Sequence, residues 1–390
     1  MENSFFDTPV NRRGTNSYKW DTTPDGVLPM WVADMDFRTA PCIIEALRRR
    51  VEHGVFGYTH VPQEYYEATR DWFSRRHGWD INIEHIIYTS GVVPALSAII
   101  KAVTHPGDGV IVQTPAYNCF FSSIRNNGCR EVDNRLVYSK DGYTIDFENL
   151  ERLAADPSVT AMILCNPHNP AGRVWTPEEL RRVGDICLAN NVFVISDEIH
   201  CELVYKPFRY TPYASLGEKY ADNSAVCVSP SKAFNTAGLQ IANIVIPDAK
   251  RRAAVDRAIN INEVCDVNPF GVAATVAAYR EGLPWLMELI DYLHDNYLLL
   301  KETFEAVIPE CPVTPLEGTY LAWVNISATG LTGEEVESIL VERAGVRLNA
   351  GAMYGSGGEE FLRINLACPR SVLREAIQRV AAVIQQLITR

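Results

Sequence analysis

The chain has 390 residues, with 36 Lys and Arg against 48 Asp and Glu, a formal net charge of −12 at pH 7. That balance lacks the clustered cations that a nucleic-acid backbone or an anionic membrane surface selects, so neither is an expected partner. With 47% hydrophobic and 22% charged residues the composition is that of a soluble globular protein, and the length predicts two domains.

No apolar run approaches the ~20 residues that cross a bilayer, and the stretch from Met1 to Gly14 has no apolar core of a signal peptide. The ten cysteines (Cys42, Cys119, Cys129, Cys165, Cys187, Cys201, Cys227, Cys265, Cys311 and Cys368) form no C-x-x-C pair, and many fall inside apolar runs. This is the pattern of reduced, buried thiols in a cytoplasmic protein. Neither the Cys nor the eight His form the spaced cluster a zinc site requires, so no metal is expected.

In chain order, hydrophobic periodicity predicts strands at His85–Thr89, Gly109–Gln113, Thr160–Cys165, Val192–Ser196, Ala225–Val228 and Ile241–Ile246. Helices are predicted at Pro94–Val103, Thr176–Asn190 and Asp248–Asn260. Short Val/Ile-rich strands alternating with helices imply crossover connections and a largely parallel or mixed sheet covered on both faces. The pattern changes near residue 283. A long amphipathic stretch, Leu283 to Ala306, is followed by a strand at Tyr320–Ile326 and a helix opened by the capping box Thr332-Gly-Glu-Glu335. Strands at Val346–Asn349 and Glu360–Leu366 follow. The last helix, Ser371–Leu387, carries Leu373, Ala376, Ile377, Val380, Val383, Ile384 and Leu387 on one face. The expected division is a large α/β domain over 46–282, with 1–45 and 283–390 forming a small α+β domain.

Polar groups collect where strands end. Ser90-Gly91-Val92-Val93-Pro94 is a glycine turn opening a helix, a place where free N–H groups meet an anion; Pro94 marks the expected first helical position. Gly109–Gln113 runs into Tyr117, Thr160–Cys165 into Asn166-Pro-His-Asn-Pro170, Val192–Ser196 into Asp197-Glu-Ile-His200, and Ala225–Val228 into Ser229-Pro-Ser-Lys232. Each alone has a plainer explanation: a surface acid, a solvated lysine, a core ring. Ligands of doubly wound sheets sit outside these carboxyl ends. Together the groups fit pyridoxal 5′-phosphate, which needs an amine for a Schiff base, an acid at its ring nitrogen, an aromatic platform and an anion cradle.

These residues carry a resemblance along nearly the whole chain to fold-type I pyridoxal-phosphate enzymes. The broad motifs are Asn166-Pro-His-Asn-Pro-Ala-Gly172, Asp197-Glu-Ile-His200, Ser229-x-x-Lys232 and Arg363. More narrowly, Leu28-Pro-Met-Trp-Val-Ala-Asp-Met-Asp-Phe37, Gly54-Val-Phe-Gly-Tyr58 and Lys232-Ala-Phe-Asn-Thr-Ala-Gly-Leu-Gln240 resemble the MalY/PatB group of cystathionine β-lyases. The resemblance implies a large domain with a mostly parallel seven-stranded sheet plus a small α+β domain, bound pyridoxal 5′-phosphate, an amino-acid substrate and a homodimer with shared active sites.

By the same resemblance Lys232 is the Schiff-base lysine and proton carrier, Asp197 the partner of the ring nitrogen and Tyr117 the stacked ring. Asn169 donates to the cofactor's phenolate oxygen. His200 either contacts that oxygen or packs nearby. Gly91, Val92, Val93, Ser229 and Ser231 hold the phosphate. Tyr58 reaches the neighbouring subunit's phosphate or substrate, unless it is local packing. Arg363 clamps the substrate carboxylate, with Ala33 and Asn169 beside it. Strand alternation puts Arg363 on the face opposite Leu362 and Ile364. Where most aminotransferases of this fold carry an arginine, eight residues beyond the lysine, this chain has Gln240, as the MalY/PatB group does. The implied reaction is β-elimination from a sulfur amino acid, cystathionine to homocysteine, pyruvate and ammonia. The alternative is an aminotransferase working on the same carbanion.

Overall fold

The computed structural model describes residues 5–261 and 266–389, so Cys265 lies outside the described residues. Its centre is a seven-stranded sheet built from β1 (Ile86–Thr89), β2 (Gly109–Val112), β3 (Arg130–Asp133), β4 (Val159–Cys165), β5 (Phe193–Asp197), β6 (Ser224–Val228) and β7 (Ala242–Val245). The spatial order is β1-β7-β6-β5-β4-β2-β3. Neighbours run parallel except β7, which is antiparallel to both β1 and β6.

The continuous apolar runs follow from two covered faces. In β4, Met162 and Leu164 enter one core while Ala161, Ile163 and Cys165 enter the other; β5 and β6 divide in the same way. The strand missing from the expected set, β3, reads Arg130-Glu-Val-Asp133. As the sheet's edge it keeps its charged side chains exposed, which hides it from a search for apolar runs and discourages pairing with other chains.

Among the helices are α1 (Pro41–His53), α2 (Gln63–His77), α3 (Val92–Val103), α4 (Asn118–Asn126), α5 (Pro177–Ala189), α6 (Ala249–Asn260), α7 (Pro269–Glu281) and α8 (Leu283–Val307). Residue 46, the expected start of the large domain, falls inside α1. Pro94 is the third residue of α3 rather than the first, because the helix begins at Val92. A proline is tolerated there since the first four N–H groups of a helix have no intrahelical acceptor. Val92, Ala95, Leu96 and Ile99 seat α3 on one face of the sheet, with its first turn at the strands' carboxyl ends.

Beyond α8 a three-stranded antiparallel sheet forms from β8 (Leu321–Asn325), β9 (Asn349–Ala350) and β10 (Phe361–Asn365), in the order β8-β10-β9. It is backed by α9 (Gly333–Arg343), opened by the capping box of Thr332 and Glu335, and by α10 (Arg370–Ile388), whose apolar stripe from Leu373 to Leu387 is buried. The strand expected at Val346–Asn349 is two strands. Val346–Arg347 pairs in parallel with Leu28–Pro29, and after buried Leu348 the chain changes partner and joins β10.

From Trp31 to Phe37 the chain has no regular structure and crosses between the two layers as a strap. Three asparagine side chains hold its backbone. Asn365 Nδ2 donates to the carbonyls of Val32 (2.5 Å) and Asp34 (2.7 Å), and Asn349 Nδ2 to that of Trp31 (2.8 Å). Asn235 donates to Met35 and Phe37 and accepts from the Met35 N–H. Core residues from both layers, including Met162 and Val194 of the central sheet with Trp323 and Val380, belong to one contiguous cluster.

Candidate active site

A cavity of about 200 Å³ opens at the carboxyl ends of the central strands, and its walls include Gly91, Val93, Tyr117, Asp197, His200 and Lys232. Asp197 is the last residue of β5 and pairs with Cys165 on one side and Cys227 on the other, so its carboxyl sits between two thiols and is almost fully buried. Burial raises its pKa to about 6, against the pull of the Ile199 N–H (3.1 Å) and the Lys232 charge. It is ionised at neutral pH and best satisfied beside a cation.

Lys232 follows β6 and directs Nζ to the carbonyl of Ala33 at 2.7 Å. Burial lowers its pKa to about 8; Arg363 acts in the same sense, and Asp34 and Asp197 oppose. An amine held near 8 can give and take protons at physiological pH. His200 is buried with Nδ1 unpartnered among the described residues, and desolvation with the charges of Lys232 and Arg363 keeps its imidazole neutral. Tyr117 is the residue before α4. Burial and the neighbouring Cys119 thiol keep its phenol protonated.

The first turn of α3 brings a helix N-terminus to the cavity, where an anion is favoured. Gly91 caps the helix without a side-chain hydrogen bond, so the N–H groups of Val92 and Val93 point out of the helix unused by it. Ser231 and Gln240 line the same cavity. Ser229 does not: its hydroxyl donates to the Ile241 carbonyl (2.7 Å) and accepts from the Ser231 N–H (3.1 Å), which makes it a brace for the turn before Lys232.

Arg363 lies on β10, 3% exposed, opposite Trp323. Nη1 donates to Asn169 Oδ1 (3.2 Å), Nη2 to the Trp31 carbonyl (2.9 Å), and Nε has no partner. The guanidinium stands 5.0 Å over the Tyr354 ring. Among the described residues no carboxylate pairs with it. A buried cation fixed only by neutral oxygens and a π face is poised for an incoming carboxylate.

Asn169 reaches Arg363 from the loop Asn166–Gly172. Gly172, at φ +72°, closes that loop against Leu316, where a Cβ would come within 2.7 Å of Cδ1. His168, kept neutral by burial with its pKa lowered to about 4, anchors the loop through Nε2 to the Gln113 carbonyl at 3.2 Å. Asn166 donates to the Thr211 carbonyl and is structural.

Besides Ser229, two expected residues behave differently and others were missed. Tyr58 is 97% exposed and lies outside this cavity, in a wider cleft of about 740 Å³ between α1, α2 and α7 that no strand end reaches. Ala33 contributes its carbonyl, which also accepts from the buried Tyr320 hydroxyl at 2.9 Å. Tyr320 and the Trp31 carbonyl had no sequence signal, although the 28–37 motif contains the latter. His77 and the adjacent pair Cys201 and Glu202 bring potential ligand atoms within 4.8 Å of one another. Glu202 there already accepts from Trp72 Nε1, His77 Nε2 and Arg76 Nε, tying α2 to the loop after β5.

The cavity fits pyridoxal 5′-phosphate. It pairs an amine with a buried carboxylate, adds a helix N-terminus for a phosphate, and includes His200, whose Nδ1 has no partner among the described residues.

Comparison with known proteins gives the same picture. PatB, a cystathionine β-lyase of Bacillus subtilis, is 43% identical over 384 residues, covering 97% of this chain and 99% of its own. MalY of Escherichia coli is 35% identical over 379 residues, 95% of this chain and 96% of its own. The crystal structure of cystalysin from Treponema denticola, which contains a pyridoxal 5′-phosphate cofactor, superposes with a TM-score of 0.95 at 36% identity, over 98% of this chain and 99% of that one. The model for aminotransferase class I and II matches residues 26–380, and the chain belongs to that family, as a fold-type I enzyme using pyridoxal 5′-phosphate.

Proposed function

We propose that the cavity carries out β-elimination of a thiol from a sulfur amino acid, with L-cystathionine the substrate. The observation that carries the reading is a buried Arg363 with no carboxylate partner among the described residues, held by Asn169 of the cavity wall, beside an amine with lowered pKa and a buried carboxylate, in a chain 43% identical to a cystathionine β-lyase.

Bound there, pyridoxal 5′-phosphate supplies the electron sink that acidifies the substrate Cα–H. Asp197 would hold the proton on the ring nitrogen. Val92, Val93 and Ser231 would hold the phosphate, Tyr117 would support the ring, and Asn169 and His200 would serve its phenolate oxygen. Arg363 binds the substrate carboxylate and so fixes which Cα bond faces Lys232. The neutral Lys232 amine takes the Cα proton; the Cβ–S bond breaks and its electron pair leaves on sulfur, which is protonated to the thiol. Water then releases the remaining fragment. The balance is one cystathionine and one water to homocysteine, pyruvate and ammonia.

Tyr58 completes the phosphate site of a second copy, which makes the enzyme a homodimer. Val51, Val55, Phe56 and Tyr58 form an exposed apolar stretch suited to that contact. A reducing, cytoplasmic setting suits the nine described cysteines, all of them free.

Purified holoenzyme given L-cystathionine, with no 2-oxo acid added, is expected to release pyruvate, ammonia and free thiol in equal amounts, and to sediment at twice the chain mass. No pyruvate, together with amination of an added 2-oxo acid, would refute elimination and establish amino transfer.

A further inference from the structure

The strap touches both halves of the site through its backbone: the Trp31 carbonyl takes Arg363 Nη2 and the Ala33 carbonyl takes Lys232 Nζ. Its side chains do something else. Asp34 and Asp36 are gathered with Arg12 and Lys19 into a cluster of two acids and two bases. Arg12 Nη2 lies 2.6 Å from Asp34 Oδ2 and its Nη1 2.7 Å from Asp36 Oδ1. Lys19 Nζ lies 2.8 Å from Asp36 Oδ2 and 3.7 Å from Asp34 Oδ1, and Trp20 Nε1 donates to Asp36 at 2.7 Å. Lys19 is 1% and Asp36 4% exposed.

None of these four groups touches the cavity, and the elimination uses none of them. As mere fastening they are an odd choice, because apolar packing holds a segment as well as a buried ion cluster does. The asparagines at 235, 349 and 365 already fix the strap's backbone. What the cluster adds is charge of defined sign next to Ala33. Asp34 adjoins the residue whose carbonyl holds Lys232, and Arg12 neutralises it through a two-point contact. The groups acting on the Lys232 nitrogen are then Arg363 on β10, Asp197 on β5, Cys119 on α4 and Asp34 on the strap, with His200 neutral and the phenols of Tyr117 and Tyr320 protonated.

We propose that Arg12 and Asp34 are positioning residues whose ion pair, acting through the strap, tunes the protonation of the Lys232 nitrogen. This rests on the role given to Lys232 above. The pair's two halves must therefore act with opposite sign. Removing the Asp34 charge leaves Asp36 alone against Arg12 and Lys19, one net positive charge, and favours the neutral nitrogen. Removing Arg12 bares Asp34 and favours the protonated one.

The test uses holoenzyme of wild type, Asp34→Asn and Arg12→Gln. Each is titrated with pH while the cofactor's visible absorbance is followed, and its unfolding temperature is measured in parallel. The expected result is a midpoint lowered by roughly half a unit to one unit in Asp34→Asn and raised by a similar amount in Arg12→Gln. Midpoints that move in the same direction, or stay in place while only the unfolding temperature falls, would overturn the proposal and leave the cluster a structural fastening. If Arg12→Gln yields no folded holoenzyme, Asp34→Asn decides alone, and an unchanged or raised midpoint overturns it. Failure of the underlying reading is separate: wild type would then show no visible band or no pyruvate before any variant is made.

Discussion

Arg363 is a cation that the fold buries without a counter-ion among the described residues, and that single fact dictates what its replacement does. Arg363→Lys keeps the charge but loses the planar fork that Trp31 and Asn169 hold in place. The expected outcome is a KM for cystathionine raised roughly 10- to 100-fold, from loss of one charge-assisted hydrogen bond, with an unfolding midpoint close to wild type. A KM unchanged in steady-state assays would remove the arginine from the substrate's carboxylate. Residues of this kind were legible in the sequence because they break a pattern: Asp197, Lys232 and Arg363 are charges placed in or just after apolar runs, where a charge is costly without a purpose. The carbonyls of Trp31 and Ala33 were not legible. A backbone acceptor has no side-chain signature, and the Trp31–Arg363 contact spans 332 residues. The two serines before the lysine show a subtler limit, since only packing decides that Ser229 braces while Ser231 faces the cavity.

At the scale of elements, the strand ends do the positioning, and the buried strands announced themselves through Val/Ile-rich runs. Much of what stayed hidden was polar: the edge strand β3, and the helices α1 and α2, whose charged residues, among them Arg48, Arg49, Arg50, Arg75 and Arg76, mask their apolar stripes. The loop Asn166–Gly172 is the element whose shape depends most on one residue. Gly172→Ala places a side chain at φ +72° and against Leu316, for a cost of about 1–3 kcal/mol. Chemical denaturation is expected to show that loss. Because Asn169 belongs to the same loop and braces Arg363, KM rises with it, whereas a change elsewhere that costs equal stability leaves KM alone.

For the whole molecule, Asp197 couples cofactor binding to stability. With the cofactor removed, its carboxyl titrates at about 6 in the folded chain against ~3.9 unfolded. The folded state then binds more protons than the unfolded one between those values, so the group's contribution to stability is present below the unfolded pKa and is lost as pH rises through the folded one. A protonated ring nitrogen, if held beside it as proposed, would return the pKa toward the ordinary value and cancel the loss. The gap in unfolding temperature between holoenzyme and apoenzyme is therefore expected to widen from about pH 4 to pH 6 and then level off. Calorimetry on Asp197→Asn should find the widening gone. Glu198, also raised by burial to about 7, is bonded to Tyr210, Ser196 and the Tyr213 N–H in both forms and drops out of the difference. The strap has a consequence for biosynthesis too. The guanidinium at 363 is braced by a carbonyl from residue 31, and the parallel pair of Leu28 with Val346 joins the same distant stretches. A ribosome must therefore have made nearly the entire polypeptide before that brace exists, and a chain clipped so as to lose residue 31 or residue 363 cannot form it.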